Sequence, residues 1–79
     1  MSVMFEVYYR SPADACRERD LATFIETLGG RLDYREPAER ADGPIVLTYE
    51  FPDRLRAEEA ARMLRARGEH VEGPQDYAA

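Results

Sequence analysis

A chain of 79 residues has room for one small domain, in which only roughly 60% of the unfolded surface can be buried. Hydrophobic residues at 44% and charged residues at 34% are a globular composition; no apolar run nears the ~18 residues of a membrane helix, and the lone Cys16 excludes an internal disulfide or a Cys-rich zinc site. Sixteen acidic against eleven basic residues give −5 with the signs interspersed, which speaks against nucleic acid and against an anionic membrane surface, both of which need a basic face.

Val3 to Arg10 alternates, with Val3, Phe5, Val7 and Tyr9 on one side and Met4, Glu6, Tyr8 and Arg10 on the other. That period of two predicts a half-buried strand. In Ser11-Pro12-Ala13-Asp14, Ser11 is expected to cap a helix, Pro12 to take its first position and Asp14 to face the positive end of its dipole. Leu21, Phe24, Ile25 and Leu28 then share one helical stripe, which Gly29-Gly30 ends. Cys16, about a turn earlier, reads as a small packing residue; Asp14, Glu18 and Asp20 around it oppose a reactive thiolate.

Residues 31–36 alternate again, with Leu32 and Tyr34 expected inward and Arg31, Asp33 and Arg35 outward. The segment 37–43 is a polar connection, too long for a two-residue hairpin. Pro44 to Phe51 predicts the best strand, turning Ile45, Leu47, Tyr49 and Phe51 one way and Val46, Thr48 and Glu50 the other. Asp53 is the expected N-cap of a second helix with Ala57, Ala60, Ala61 and Leu64 as its stripe and Leu55 and Met63 at the margins. Gly68 ends it, after Arg65 and Arg67 in the last turn. His70-Val71-Glu72 predicts a short last strand, so that residues 1–74 form a single α+β domain and 75–79 a flexible tail.

Strand, helix, strand, strand, helix, strand is the ferredoxin-like βαββαβ pattern: a four-stranded antiparallel sheet in the order 4-1-3-2 with two helices on one face. Many unrelated activities share this architecture, so it implies no function. If Val7 and Leu47 face the helices, the other sheet face is open. Its candidate partner-binding residues are Met4, Glu6, Tyr8, Arg10, Val46, Thr48, Glu50 and His70, with Arg31, Asp33, Arg35 and Glu72 beside them.

Glu6 and Glu50 fall within one or two cross-strand steps, where two carboxylates raise one another's pKa and can serve acid–base chemistry or a metal. Neutralisation by Arg10, Arg31 or Arg35 is the simpler expectation, and no ligand spacing encodes a metal site. His70 beside Glu72 is a candidate base, although a single strand-edge histidine is more often a surface residue. Tyr8, Tyr34 and Tyr49 do not read as a base-stacking platform, since only Tyr8 is expected to face out. The second helix carries Arg54, Arg56, Arg62, Arg65 and Arg67 against Glu58 and Glu59; a solvated face with Glu58 pairing Arg62 is expected ahead of a phosphate or acidic-partner site.

All eleven basic residues are Arg, which fits a GC-rich bacterial genome; an acidic balance fits a basic protein partner or simply solubility. The expected function is a small non-enzymatic interaction or regulatory module that binds a protein partner, or itself, through the open sheet face. No cofactor, metal, nucleic acid or membrane is expected, and a cytoplasmic location is the default. The alternatives are a dimeric α+β-barrel enzyme with Glu6, Glu50 and His70 in a cleft, and an acidic phage-type inhibitor of a nucleic-acid-binding machine.

Overall fold

The computed structural model describes residues 2–77. The elements are β1 (Ser2–Arg10), α1 (Ala15–Thr27), β2 (Arg31–Glu36), β3 (Pro44–Phe51), α2 (Arg54–Ala66) and β4 (His70–Tyr77). The strands form one antiparallel sheet in the order β2-β3-β1-β4, which is the expected 4-1-3-2 read from the opposite edge. The chain is thus α+β with the βαββαβ order. β4 is longer than the expected 70–72: Gln75, Asp76 and Tyr77 pair with Met4, Val3 and Ser2, where a tail was expected. Residues 78 and 79 of that tail lie outside the described residues.

The alternation of β1 and β3 builds the core. Val3, Phe5, Val7 and Tyr9 from β1 and Ile45, Leu47, Tyr49 and Phe51 from β3 are buried in one cluster with Leu21 and Ile25 of α1 and Ala57, Ala60, Ala61 and Leu64 of α2. Both helices therefore cover the same sheet face. Fully buried alanines let α2 lie close to a sheet whose inward side is filled by large rings, Phe5 stacking on Phe51 with centroids 5.3 Å apart. Each such ring stabilises the fold by about 1.5–3 kcal/mol through burial.

The helix ends follow local chemistry. Asp53 caps α2 as expected, its carboxylate accepting the Arg56 N–H at 2.8 Å. α1 starts later than expected, because Asp14 and not Ser11 is its N-cap and accepts the Arg17 N–H at 3.0 Å. Ser11 instead ties the end of β1 to the β2–β3 connection, its hydroxyl donating to the Gly43 carbonyl at 2.7 Å. Gly29 and Gly68 end the two helices at φ of 85° and 94°, a region that costs other residues strain. Cys16 is exposed and packs no core: it lies five residues before Leu21, about 140° around a helix of 3.6 residues per turn.

The largest departure from expectation is in β2. Leu32 pairs with Tyr49 but Tyr34 pairs with Thr48, so Asp33 is an extra residue, a bulge that reverses the phase of the strand. Tyr34, expected inward, turns to the open face and is 60% exposed, while Arg35, expected outward, turns to the helices. Leu32 stays on the helix side but at the sheet edge, half exposed. β4, the other edge strand, has its own bulge between the pairs Met4–Gln75 and Glu6–Glu72. There the Arg65 guanidinium of α2 donates to the carbonyls of Val71 and Gly73 at 3.0 and 2.7 Å. Bulges at both edges, and Pro74 on one of them, discourage a further strand from adding to the sheet.

Gly30 gives a direct test of how tightly α1 and β2 meet this core. A Cβ there would lie 2.6 Å from the Phe51 ring and 2.8 Å from Cγ2 of Ile25. Gly30→Ala should therefore lower stability in urea denaturation by about 1–3 kcal/mol. A loss below about 0.5 kcal/mol, typical of exposed positions, would mean the junction is loose.

Candidate functional site

The sheet face opposite the helices is a grid of three rows set by the strand registers. In order β2, β3, β1, β4 the first row is Arg31, Glu50, Met4 and Gln75, and the second is Tyr34, Thr48, Glu6 and Glu72. The third is Glu36, Val46, Tyr8 and His70, beyond which lie Arg10 and Pro44. Six of the eight expected site residues sit within these rows on the two central strands, His70 is at the β4 edge and Arg10 is at the end of β1. Tyr34 and Glu36 also belong to this face and were missed by strict alternation in β2.

The acidic pair of the expectation is separated in its interactions. Glu6 faces Thr48, and Glu50 faces Met4 one step along the diagonal. Glu50 is engaged by Arg31 at 2.5 Å. A hydrogen bond from Ser2, then the Arg31 guanidinium, hold its carboxyl below the ordinary range. Glu6 accepts a hydrogen bond from the Tyr8 hydroxyl at 3.2 Å. Burial first, then the Glu6 charge, push the Tyr8 phenol above its ordinary value, so it remains a donor at neutral pH. The Tyr8 ring lies 5.3 Å from that of His70, and His70 Nε2 is 2.7 Å from Glu72.

In the third row Val46 is only 9% exposed although it faces away from the helices. Two open hollows flank the adjacent Tyr8. One, of about 600 Å³, lies among Arg10, Arg40, Asp42, Pro44 and His70; the other, of about 450 Å³, among Glu36, Pro37, Glu39 and Val46. The face thus has an aromatic and aliphatic patch, Tyr8 beside Val46, toward one end of its central strands, bordered by charged groups that include Glu6 in the middle row. Among the described residues no guanidinium pairs with Glu6, Glu36 or Glu72, and no three potential metal ligands converge. The arginines of α2 are largely committed elsewhere: Arg56 is 3.7 Å from Asp53, Arg54 pairs with Glu58, Arg65 holds β4 and Arg67 lies over Phe24. Glu58 therefore pairs with Arg54 and not with the expected Arg62.

A second polar cluster lies on the helix side and fixes the sheet. Arg35 donates from Nε and Nη2 to the two carboxylate oxygens of Glu18 at 2.8 and 3.0 Å. The Tyr9 hydroxyl also donates to Glu18 and accepts the Asp14 N–H at 3.0 Å. Arg17 lies over the Tyr9 ring and bonds Glu69 at 2.6 Å. This cluster joins β1, α1 and β2 and the turn before β4.

The chain matches no protein-family model and no curated protein. No helix among the described residues is long and apolar enough to cross a membrane.

Hydrogen bonds from Arg35 lower the Glu18 pKa below its ordinary 4.5. The unfolded chain then takes up this proton more readily than the folded one. The contribution is complete above the unfolded pKa and is lost as pH falls through the folded one. Urea midpoints between about pH 3 and 7 should show a steeper acid loss for the natural chain than for Glu18→Gln. Arg35→Met should lower the urea midpoint near neutral pH, since it leaves the Glu18 carboxylate with the Tyr9 hydroxyl and no cation. Superimposable acid limbs would show that Glu18 makes no such contribution.

Proposed function

We propose that this protein is a small non-enzymatic interaction module that binds a protein partner through its open sheet face. The observation that carries the proposal is the layout of that face. Val46 and Tyr8 form an apolar patch toward one end of the central strands, Met4 lies beyond Glu6 on β1, Tyr34 stands exposed on β2, and the carboxylates of Glu6, Glu36 and Glu72 border the patch without a guanidinium among the described residues. An apolar patch with a polar border is the common anatomy of a protein contact surface. The matching surface has an apolar patch with hydrogen-bond donors or cations beside it.

The edge bulges favour the face over strand addition as the route of binding, since an added strand would meet an interrupted ladder. Acid–base chemistry by Glu6 and Glu50 is less well supported, because Glu50 is held by Arg31 and Glu6 by Tyr8.

Photo-crosslinking in living cells separates the two surfaces of the molecule. A photoreactive residue in place of Thr48, on the open face, should give protein adducts that disappear when Tyr8→Glu is added. The same group in place of Arg62, on the exposed side of α2, should give none. Adducts from position 62 alone, or adducts from position 48 that survive Tyr8→Glu, would overturn the proposal.

A further inference from the structure

We infer that the hollow between Tyr8 and the β2–β3 connection receives a basic side chain carried by the protein partner. This rests on the reading of the face as a binding surface and adds what the partner must bring to it.

The hollow, of about 450 Å³, is built from two kinds of wall. Tyr8, Val46, Pro37 and Pro44 supply apolar surface, and Glu36 and Glu39 supply carboxylates. Among the described residues neither carboxylate has an ion pair. A group with an aliphatic stem and a cationic head satisfies both walls at once, and arginine and lysine have that form. Tyr8 adds a ring whose face attracts a cation. The His70 ring stands 5.3 Å away on the β4 side of Tyr8, so the side toward β3 is left to an incoming group.

Charge decides against other occupants. A purely apolar group would desolvate the two carboxylates without pairing them, and an anion would be repelled by both. Arg40 also lines the hollow, but two carboxylates outnumber it there. Across Tyr8 the balance reverses, since Arg10, Arg40 and His70 gather against Asp42 in the other hollow. The negative field extends beyond the walls themselves. Burial first, then the charges of Glu6, Glu72 and Glu36, raise the pKa of the Tyr8 phenol.

The walls are in place before a partner arrives. Ala38, at the start of the connection, packs against the core. At its far end the Ser11 hydroxyl lies 2.9 and 2.7 Å from the carbonyls of Ala41 and Gly43. Between them the Gly43 N–H closes a turn by donating to the Arg40 carbonyl at 3.0 Å. A preformed hollow spares the cost of ordering a loop on binding. Glu36 reaches it only because the Asp33 bulge sets the phase of β2.

The test is an amide-resolved nuclear magnetic resonance titration of the full chain with N-acetyl-L-argininamide, with the uncharged citrulline counterpart as control. Saturable shifts should gather at Glu36, Glu39 and Val46 and spare Arg10 and His70, and the citrulline compound should produce none. Glu36→Gln combined with Glu39→Gln should weaken the arginine compound roughly fivefold, as the loss of two exposed ion pairs would. Arg40→Gln, which removes a like charge, should tighten it. All three positions are exposed, and unchanged amide shifts elsewhere would report an intact fold. No saturable shifts, equal shifts from both compounds, or shifts centred on Arg10 and His70 would overturn the inference. So would an unchanged affinity in the paired variant. Position-48 adducts that survive the paired substitution would also overturn it, while leaving the interaction-module reading standing. A natural chain without position-48 adducts would remove that reading and the inference with it.

Discussion

Arg35 reaches Glu18 only because β2 carries one residue more than its neighbour at Asp33. Without the bulge, strict alternation would turn Arg35 to the open face and leave Glu18 on the helix side without a cation from the sheet. With it, a bidentate contact locks the edge strand to α1, and Tyr9 adds a hydrogen bond from β1 to the same carboxylate. Bidentate guanidinium–carboxylate pairs are directional as well as strong, so this cluster sets strand phase along with stability. The exposed position of Tyr34 is the other half of the same constraint.

The two sheet faces are consequently different materials. The helix side is a close-packed layer in which rings from β1 and β3 fill the space left by the alanines of α2. The open side is a thin apolar patch among carboxylates held by short-range partners: Glu6 by Tyr8, Glu72 by His70, and Glu50 by Ser2 and Arg31. Such pairs at a surface contribute little stability in water, but they orient groups toward whatever covers the face. Any functional account must therefore look to the side that adds least to the folding energy. At the edge opposite to β2, Arg65 performs the corresponding task, holding the irregular part of β4 against α2 through two carbonyls.

Much of the fold was legible from residue order because its signals are periodic. The alternation in 3–10 and 44–51, the stripe Ala57, Ala60, Ala61 and Leu64, and the glycines after each helix all have a single physical interpretation. The misread features are those where two chemistries compete locally. Ser11 and Asp14 are both good caps within one turn, and only the Arg17 N–H decides between them. Gly73-Pro74 looks like the end of a strand, yet an edge strand can carry both residues at a bulge. The face residues on β1 and β3 followed from period two, whereas Tyr34 and Glu36 did not, since nothing in Leu32-Asp33-Tyr34 marks an inserted residue. The discernible hint was electrostatic: an inward Arg35 had a carboxylate waiting at Glu18.

The phase of β2 is therefore the feature on which both the anchoring cluster and the composition of the open face depend. Proton–proton nuclear Overhauser contacts of the Tyr34 ring would measure it directly. Contacts between that ring and the Thr48 methyl group, with none to α1, are the result this account predicts. Contacts from the Tyr34 ring to Phe24 or Leu28 would place it on the helix side, contradict the bulge, and return Arg35 to the open face.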